Sequence, residues 1–219
     1  MKNKTVLLIS LSFLLIFMTG CAQIGIPMDS LPWVTNNPIY FKDSFESTSG
    51  GWMTFDDDMG FAGYDAGGFR LIAGFENYQF WSVPGLNFRD TMIFTRAKKI
   101  DGPENNLFGI ICRYQNEANF YALVIGSDGY YGIFKTIGGQ QSLIAQEHMD
   151  FSTVIHQGNA DNEIQALCQG EDLVLLVNGE QLIHVKDDSL TNGDIGLIVG
   201  NFSQPGTDII FDNFIVVKP

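Results

Sequence analysis

The apolar residues of this chain come in short runs rather than at helical spacing. After residue 38, runs rich in Val, Ile, Phe and Tyr alternate with Gly, Asn and Asp, and no long window repeats its apolar positions every 3.6 residues. Short runs bounded by turn residues are typical of β-strands. We predict strands at Ile39–Phe45, Gly68–Ala73, Gln79–Val83, Thr91–Ile100, Leu107–Tyr114, Phe120–Ile125, Tyr130–Ile137, Gln141–Gln146, Glu163–Cys168, Leu173–Val177, Gln181–Lys186, Ile195–Val199 and Asp208–Lys218.

Two predicted hairpins carry clear turn signals. Asn178-Gly179 lies between two apolar runs, and this pair suits a type I′ turn because both residues must adopt φ > 0. That register places Leu175 opposite Leu182 and Val174 opposite Ile183, so both faces of the hairpin are apolar at mid-strand. We therefore expect its second face to be covered or to form part of a groove. The other hairpin turns at Ser127-Asp128-Gly129, with a loop of either two or three residues.

The composition agrees with an all-β domain. The chain has 24 Gly and 13% aromatic residues but only 17% charged residues, as expected for many strands joined by tight turns. Residues 38–219 are numerous enough for one domain with a real core. We predict two stacked antiparallel sheets, arranged as a jelly-roll sandwich.

The first residues have the features of a secretory leader. Two lysines precede a thirteen-residue apolar run, Val6–Met18, which is too short to span a membrane, and Gly20-Cys21 follows it. The pattern resembles a bacterial lipobox, in which the cysteine is acylated and the leader is removed before it. The alternative is an ordinary signal peptide with a chance cysteine. We predict a leader at 1–20, lipidation of Cys21, a Pro-containing tether at 21–37 and a sandwich domain at 38–219, held outside the cytoplasm on a bacterial membrane.

The charge of the chain bears on its partners. There are 12 Lys and Arg against 25 Asp and Glu, and loss of the leader removes two lysines and no acids. An acidic surface disfavours nucleic acid. The predicted partners are the membrane, through the lipid anchor, and a carbohydrate ligand.

Assigning Cys21 to lipid leaves two cysteines for an oxidising compartment. Cys112 shares an apolar strand face with Phe108 and Ile110, and Cys168 shares another with Ile164 and Ala166. Both thiols should therefore point into the core. We predict a Cys112–Cys168 disulfide; the alternative is two separate buried thiols.

Several segments together resemble the concanavalin A-like lectin/glucanase superfamily, in particular secreted bacterial domains of unknown function. They are "DSFESTSGGW" at 43–52, the segment "GPENNLFGIICRYQNEANFYALVIGSDGYYGIFK" at 102–135, "ALCQGEDLVLLVNG" at 166–179, and "GDIGLIV" with "FDNFIVV" at 193–217. The resemblance implies a concanavalin A-like jelly roll. It does not imply one activity, because such folds host many functions. A related family is labelled 3-keto-disaccharide hydrolase, and no residue pattern here carries that activity across.

Motifs for catalysis or for metal binding are scarce. The laminarinase-type Glu-x-Asp-x-x-Glu run, the Gly-x-Ser-x-Gly elbow and the His-Glu-x-x-His motif are absent from the sequence, so no catalytic residue is assigned. The acidic run "DDDMG" at 56–60 fails the EF-hand pattern and is interpreted as an acidic turn. A structural Ca²⁺ is predicted at Asp43 and Asp212, because the first and last strands of jelly rolls are often neighbours.

We predict that the domain is a binding module for carbohydrate or another cell-envelope ligand. The alternatives are a structural or protein-interaction domain and a glycan-acting hydrolase. Sugars bind aromatic faces flanked by polar groups, whereas core packing is the competing role for each aromatic residue. The candidate ligand-binding residues are Trp52, Trp81, Arg113, Tyr114, Asn119, Tyr121, Tyr130 and Tyr131.

Overall fold

The computed structural model describes residues 36–219, so the predicted leader, Cys21 and most of the tether lie outside the described residues. From residue 39 onward the chain forms strands joined by turns and loops. The strands are β1 (Ile39–Asp43), β2 (Phe55–Asp57), β3 (Gly60–Asp65), β4 (Gly68–Ala73), β5 (Gln79–Ser82), β6 (Thr91–Asp101), β7 (Asn106–Asn116), β8 (Asn119–Ile125), β9 (Tyr130–Ile137), β10 (Gln140–Leu143), β11 (Asp150–Phe151), β12 (Asp161–Gln169), β13 (Asp172–Val177), β14 (Glu180–Lys186), β15 (Asp194–Asn201) and β16 (Thr207–Val217).

The strands form two antiparallel sheets. The nine-stranded sheet has the order β14-β13-β12-β6-β16-β4-β3-β2, and β1 pairs with β16 beside β4. The seven-stranded sheet has the order β10-β9-β8-β7-β15-β5, with β11 paired to β9. This is the predicted all-β, two-sheet jelly roll. No helix in residues 36–219 has the length and apolar character needed to cross a bilayer.

The main core lies between the sheets and is crossed by a disulfide. Phe108 and Ile110 on β7 and Ile164 and Ala166 on β12 belong to the inter-sheet core, as the alternation of the sequence predicts. Cys112 and Cys168 are disulfide-bonded, with their Cα atoms 6.8 Å apart. Because β7 and β12 belong to different sheets, the bridge ties the two layers together. The predicted pairing is confirmed.

The seven-stranded sheet is apolar on its outer face as well. That face carries a second cluster of Leu107, Ile111, Phe120, Ala122, Val124 and Ile198, against which Trp81, Tyr114, Phe134, Met149 and Phe202 pack. The edge strands β5 and β10 would lie about 24 Å apart in a flat sheet of this order. Nevertheless Gln79 on β5 and Gln141 on β10 exchange two side-chain hydrogen bonds of 2.9 and 3.0 Å. The sheet therefore curls over its outer face and makes a trough filled by aromatic side chains.

Two local expectations need correction. The Asn178-Gly179 turn forms, but a bulge between Leu175 and Leu176 shifts the register, so that Leu175 lies opposite Ile183 rather than Leu182. Three strands were not predicted, namely β2, β3 and β11. The run at 56–60 contains the turn of the hairpin formed by β2 and β3. Its acidic residues are not typical of strands, so the hairpin was not predicted.

Candidate functional site

Two neighbouring cavities open beside the curled sheet and share the ring of Phe202. We call them together the Phe202 groove. One cavity, of about 470 Å³, is lined by Asn105, Asn106, Asp128, Tyr130, His148, Met149 and Phe202. The other, of about 450 Å³, is lined by Asn77, Tyr78, Gln79, Trp81, Gln141, Asn201 and Phe202. Both volumes lie within the range of small-molecule sites in proteins.

Asn201 at the end of β15 holds the loop on the Tyr78 side. Its Nδ2 donates to the carbonyls of Ala73 (2.6 Å) and Phe75 (2.8 Å), and its Oδ1 accepts from Thr207 N (3.0 Å). The backbone of the same loop is tied to β15, because Asn201 N donates to Tyr78 O over 2.9 Å. These bonds place Tyr78 at the groove.

Asn106 at the start of β7 holds the turn on the Tyr130 side in the same way. Its Nδ2 donates to Pro103 O (2.7 Å) and Ser127 Oγ (3.0 Å), and its Oδ1 accepts from Ser127 N (2.9 Å). The side-chain amides of Asn106 and Asn201 therefore hydrogen-bond within the protein. Their role is to position the loops of the groove rather than to contact a ligand.

Each cavity has an exposed aromatic ring of its own. Tyr78 is 41% exposed and Tyr130 is 43% exposed. Tyr78 packs on Phe80 with the ring centroids 4.8 Å apart, and Tyr130 meets Phe151 edge-on at 5.6 Å. The rings are thus held in place, with part of their surface open to a ligand.

Amide groups supply the polar chemistry of the Tyr78 side. In the Gln79–Gln141 pair each Nε2 donates one hydrogen to the other Oε1. Each amide keeps a second N–H, and that of Gln141 makes only a 3.4 Å contact with Thr136 Oγ1. A carboxamide has two donors and two acceptor lone pairs. The pair therefore presents donors and acceptors together, in fixed positions.

Asp128 supplies a carboxylate on the Tyr130 side. It lies in the loop Ser127-Asp128-Gly129 between β8 and β9, which is closed by Gly126 N donating to Tyr130 O over 2.7 Å. The Oδ1 of Asp128 accepts from Tyr130 N at 3.3 Å. Burial raises the pKa of Asp128, and the Glu104 carboxylate raises it further. Asp128 is the one carboxylate among the described residues that line either cavity.

The structure separates the candidate ligand-binding residues. Trp81 and Tyr130 both line the groove, one in each cavity. Tyr114 packs against Trp81 and Phe120 on the same sheet face, with centroid distances of 6.4 and 5.9 Å. Tyr131 is half-buried against the inter-sheet core.

Asn119 has a local role in the turn between β7 and β8. Its Nδ2 donates to Asn116 Oδ1, and its Oδ1 accepts from Gly138 N. It lines neither cavity of the groove.

Three candidates are corrected to structural roles, because they are buried. Trp52 is 5% exposed and lies in the inter-sheet core, where its ring packs on Phe69 and Phe214. Arg113 is 2% exposed, and its guanidinium donates to the carbonyls of Arg89, Leu190 and Gly170. Neither side chain has a surface to offer a ligand.

The third buried candidate is Tyr121, which is fully buried. Its hydroxyl donates to Asp187 Oδ1 over 2.6 Å and accepts from Leu190 N over 3.0 Å. Burial, together with the bond to Asp187, raises the pKa of Tyr121 to about 12. Burial alone would raise the pKa of Asp187, but hydrogen bonds from Lys135, Ser189 and Tyr121 outweigh it and lower that pKa.

The geometry gives no support to calcium at Asp43 and Asp212. β1 and β16 are paired neighbours, but Asp43 Oδ1 accepts from Phe45 N (2.7 Å) and Oδ2 from Trp52 Nε1 (3.0 Å). Burial raises the pKa of Asp212, and its Oδ2 accepts from the Asn213 amide. Within residues 36–219 no three His, Cys, Asp or Glu side chains are grouped to hold a metal ion. Calcium stays a prediction.

Sequence reasoning missed most of the groove. Tyr78, Gln141 and Phe202 come from three distant parts of the chain and share no motif. His148 is exposed and lines the Tyr130 cavity, and no sequence motif pointed to it. The sequence did indicate Trp81 and Tyr130 as candidates, and it predicted the turn that carries Asp128.

The structure resembles solved jelly-roll proteins, although no protein-family model and no curated protein matches the sequence. The Bacillus subtilis carbohydrate binding module CBM66 aligns with a TM-score of 0.61 at 16% identity over 75% of this chain and 93% of that one. A Bacillus subtilis protein of unknown function with a galectin-like fold gives 0.60 at 13% identity, over 82% and 96%. A Bacteroides ovatus GH16 protein from a mixed linkage glucan PUL gives 0.57 at 10% identity, over 81% and 99%. The fold is therefore the concanavalin A-like sandwich.

Proposed function

We propose that this protein is a carbohydrate-binding module held outside the cytoplasm on a bacterial membrane by a lipid at Cys21. One observation carries the binding function. An exposed tyrosine ring lies on each side of Phe202, and the amides of Gln79 and Gln141 beside Tyr78 keep hydrogen-bonding capacity for a ligand. Sugar rings bind through their C–H faces to aromatic side chains, and their hydroxyls bind amides and carboxylates. The fold is one that CBM66 shares.

Binding is better supported than hydrolysis. A glycosidase of the usual kind needs two carboxyl groups about 5–10 Å apart, and Asp128 is the sole carboxylate lining the groove among residues 36–219. The nearby Glu104 carboxylate already accepts a 2.8 Å bond from Lys99. A purely structural role would leave the exposed rings and the cavities unused.

A glycan array probed with the full chain tests the proposal. We expect binding to one or more glycans, weakened at least about tenfold by Phe202→Ala, since this ring borders both cavities. Tyr40→Ala is the matched control, because Tyr40 is 44% exposed and lines neither cavity of the groove. Thermal unfolding of each variant shows whether it is folded. Absence of binding to every glycan, or equal binding by Phe202→Ala, would reject the proposal.

The lipid anchor has its own test. The apolar run before Gly20-Cys21 supports it, and two or three acyl chains hold a protein stably on a bilayer. Cys21→Ser should move the protein from the membrane fraction to the soluble fraction, whereas Cys112→Ser should not. Wild-type protein without acyl groups by mass spectrometry would contradict the anchor.

A further inference from the structure

The charge at the Phe202 groove is negative only, among the described residues that line it. No Lys or Arg is among the described residues that line either cavity, and the single charged group there is Asp128. The other lining residues that carry polar side chains bring amides, tyrosine hydroxyls and His148. The protein as a whole has a formal net charge of −13.

Lys99 is paired with an acidic side chain that lies close to Asp128. Lys99 is 3% exposed and donates to Glu104 Oε1 at 2.8 Å. Glu104 in turn acts on Asp128, since its charge contributes to raising the pKa of that carboxyl. The described lining of the Tyr130 cavity thus holds the Asp128 carboxylate and no Lys or Arg, so an incoming anion would meet repulsion there.

Two cationic side chains lie in a different cavity of the protein. Arg89 and Lys218 line a separate cavity of about 320 Å³ with Tyr40 and Phe88. That cavity shares no lining residue with the Phe202 groove. Proteins that recognise carboxylated or sulfated ligands place Arg or Lys against the anionic group. No Arg or Lys takes this position among the described residues that line the Phe202 groove.

We infer that the Phe202 groove selects uncharged glycan segments long enough to cross Phe202, and rejects the same segments when they carry carboxylates. This inference rests on the proposed function and specifies the class of ligand. Asp128 accepts hydroxyl hydrogens from a neutral sugar and repels a uronic acid. The two exposed tyrosines, one in each cavity, provide stacking surfaces for two parts of one chain.

Matched polymer pairs test the inference with the full chain. The probes are mixed-linkage β-glucan and β-1,4-galactan, each native and C6-oxidised, and polygalacturonate with its carboxyl-reduced form. Affinity gel electrophoresis in low salt, where charge effects are largest, gives a dissociation constant for each. We expect every neutral member that binds to bind at least about tenfold more tightly than its carboxylated partner, and this preference to shrink as salt rises.

Two variants test whether the preference for neutral polymers arises from charge in the groove. Asp128→Asn removes the repelling charge, and Asn105→Lys adds a cation at an exposed position in the same cavity. Each should bring the carboxylated polymer to within about threefold of the neutral one. Thermal unfolding shows whether each variant is folded, and Arg89→Gln, in the separate cavity, should leave the ratio unchanged.

The outcomes separate the two ideas. A carboxylated polymer that binds as tightly as its neutral partner, and loses binding in Phe202→Ala, overturns the inference while the proposed function stands. The inference also fails if both charge variants fold and leave the ratio as in the wild type. If no polymer of any pair binds, the inference fails, and the glycan array alone decides the proposed function.

Discussion

Asn106 and Asn201 are cross-strand partners at the end of the β7–β15 ladder, and each side chain holds one loop of the Phe202 groove. Asn106 fixes the turn that contains Asp128, and Asn201 fixes the loop that carries Tyr78. One loop on each side of the groove is thus anchored to one of two adjacent strands, β7 and β15. This explains how segments far apart in sequence keep a constant separation.

Asn201→Ala should loosen the Tyr78 loop. The variant leaves Phe75 O and Thr207 N without the bonds that Asn201 makes to them, while Ala73 O keeps its bond from Gly206 N. We therefore expect a loss of about 2 kcal/mol of unfolding free energy. Hydrogen exchange at residues 74–78 should become faster than in the wild type. Asn105→Ala, at an exposed neighbouring position, is the control and should change neither quantity. Unaltered exchange in the Asn201 variant would refute this role.

Asp43→Ala should destabilise the edge of the core. The carboxylate satisfies Trp52 Nε1 and Phe45 N, and both groups are buried. Leaving them unpaired should cost about 3 kcal/mol in urea unfolding. The exposed Asp58→Ala should change stability by less than about 0.5 kcal/mol. If instead Ca²⁺ raises the melting temperature of the wild type and Asp43→Ala abolishes that rise, Asp43 is a calcium ligand after all.

Reduction of the Cys112–Cys168 bridge should destabilise the sandwich. The bridge links positions 56 residues apart, and closing a loop of that length is worth about 4 kcal/mol from chain entropy. Unfolding in denaturant with and without dithiothreitol measures the difference. The Cys112→Ala/Cys168→Ala double variant should be insensitive to the reductant. Reaction of denatured, unreduced protein with two equivalents of a thiol reagent would show that the bridge is absent.

The raised pKa of Tyr121 predicts that the unfolding free energy falls at alkaline pH. Its pKa is raised to about 12 in the fold, whereas a tyrosine in the unfolded chain titrates near 10. Between pH 10 and 12 the unfolded chain therefore releases a proton that the native state retains, and the unfolding free energy falls. Tyr121→Phe should be less stable at pH 7 and have a flatter profile across pH 10–12. Tyr40→Phe should keep the wild-type profile, and an equally steep fall in Tyr121→Phe would disprove the assignment.

The sequence predicts the strands and the disulfide because alternation is a local property. Cys112 and Cys168 could be assigned to apolar faces by counting every second residue, and the structure places both in the inter-sheet core. The register at Leu175 could not be predicted, because a bulge inserts a residue without changing composition.

The groove escaped prediction for a different reason. Both faces of the seven-stranded sheet are apolar, so Phe120 on the outer face and Tyr121 on the inner face look alike in sequence. The sheet's curvature brings Gln79 and Gln141 together, and this depends on the coiling of the whole sheet rather than on neighbouring residues. The sequence accordingly placed Trp81 and Tyr130 among the candidates but also included the buried Trp52.

The pairing of β1 with β16 has a consequence for engineering. Ile39 lies opposite Val217, and Lys218 N donates to Pro38 O over 2.9 Å, so residues 38 and 218 are adjacent in space. A short peptide could join them and close the sandwich into a ring. New termini could then be cut at Gly138-Gly139, an exposed turn where neither glycine has another atom near its Cβ position. The order in which the strands are synthesised would change, while both cavities would keep their walls.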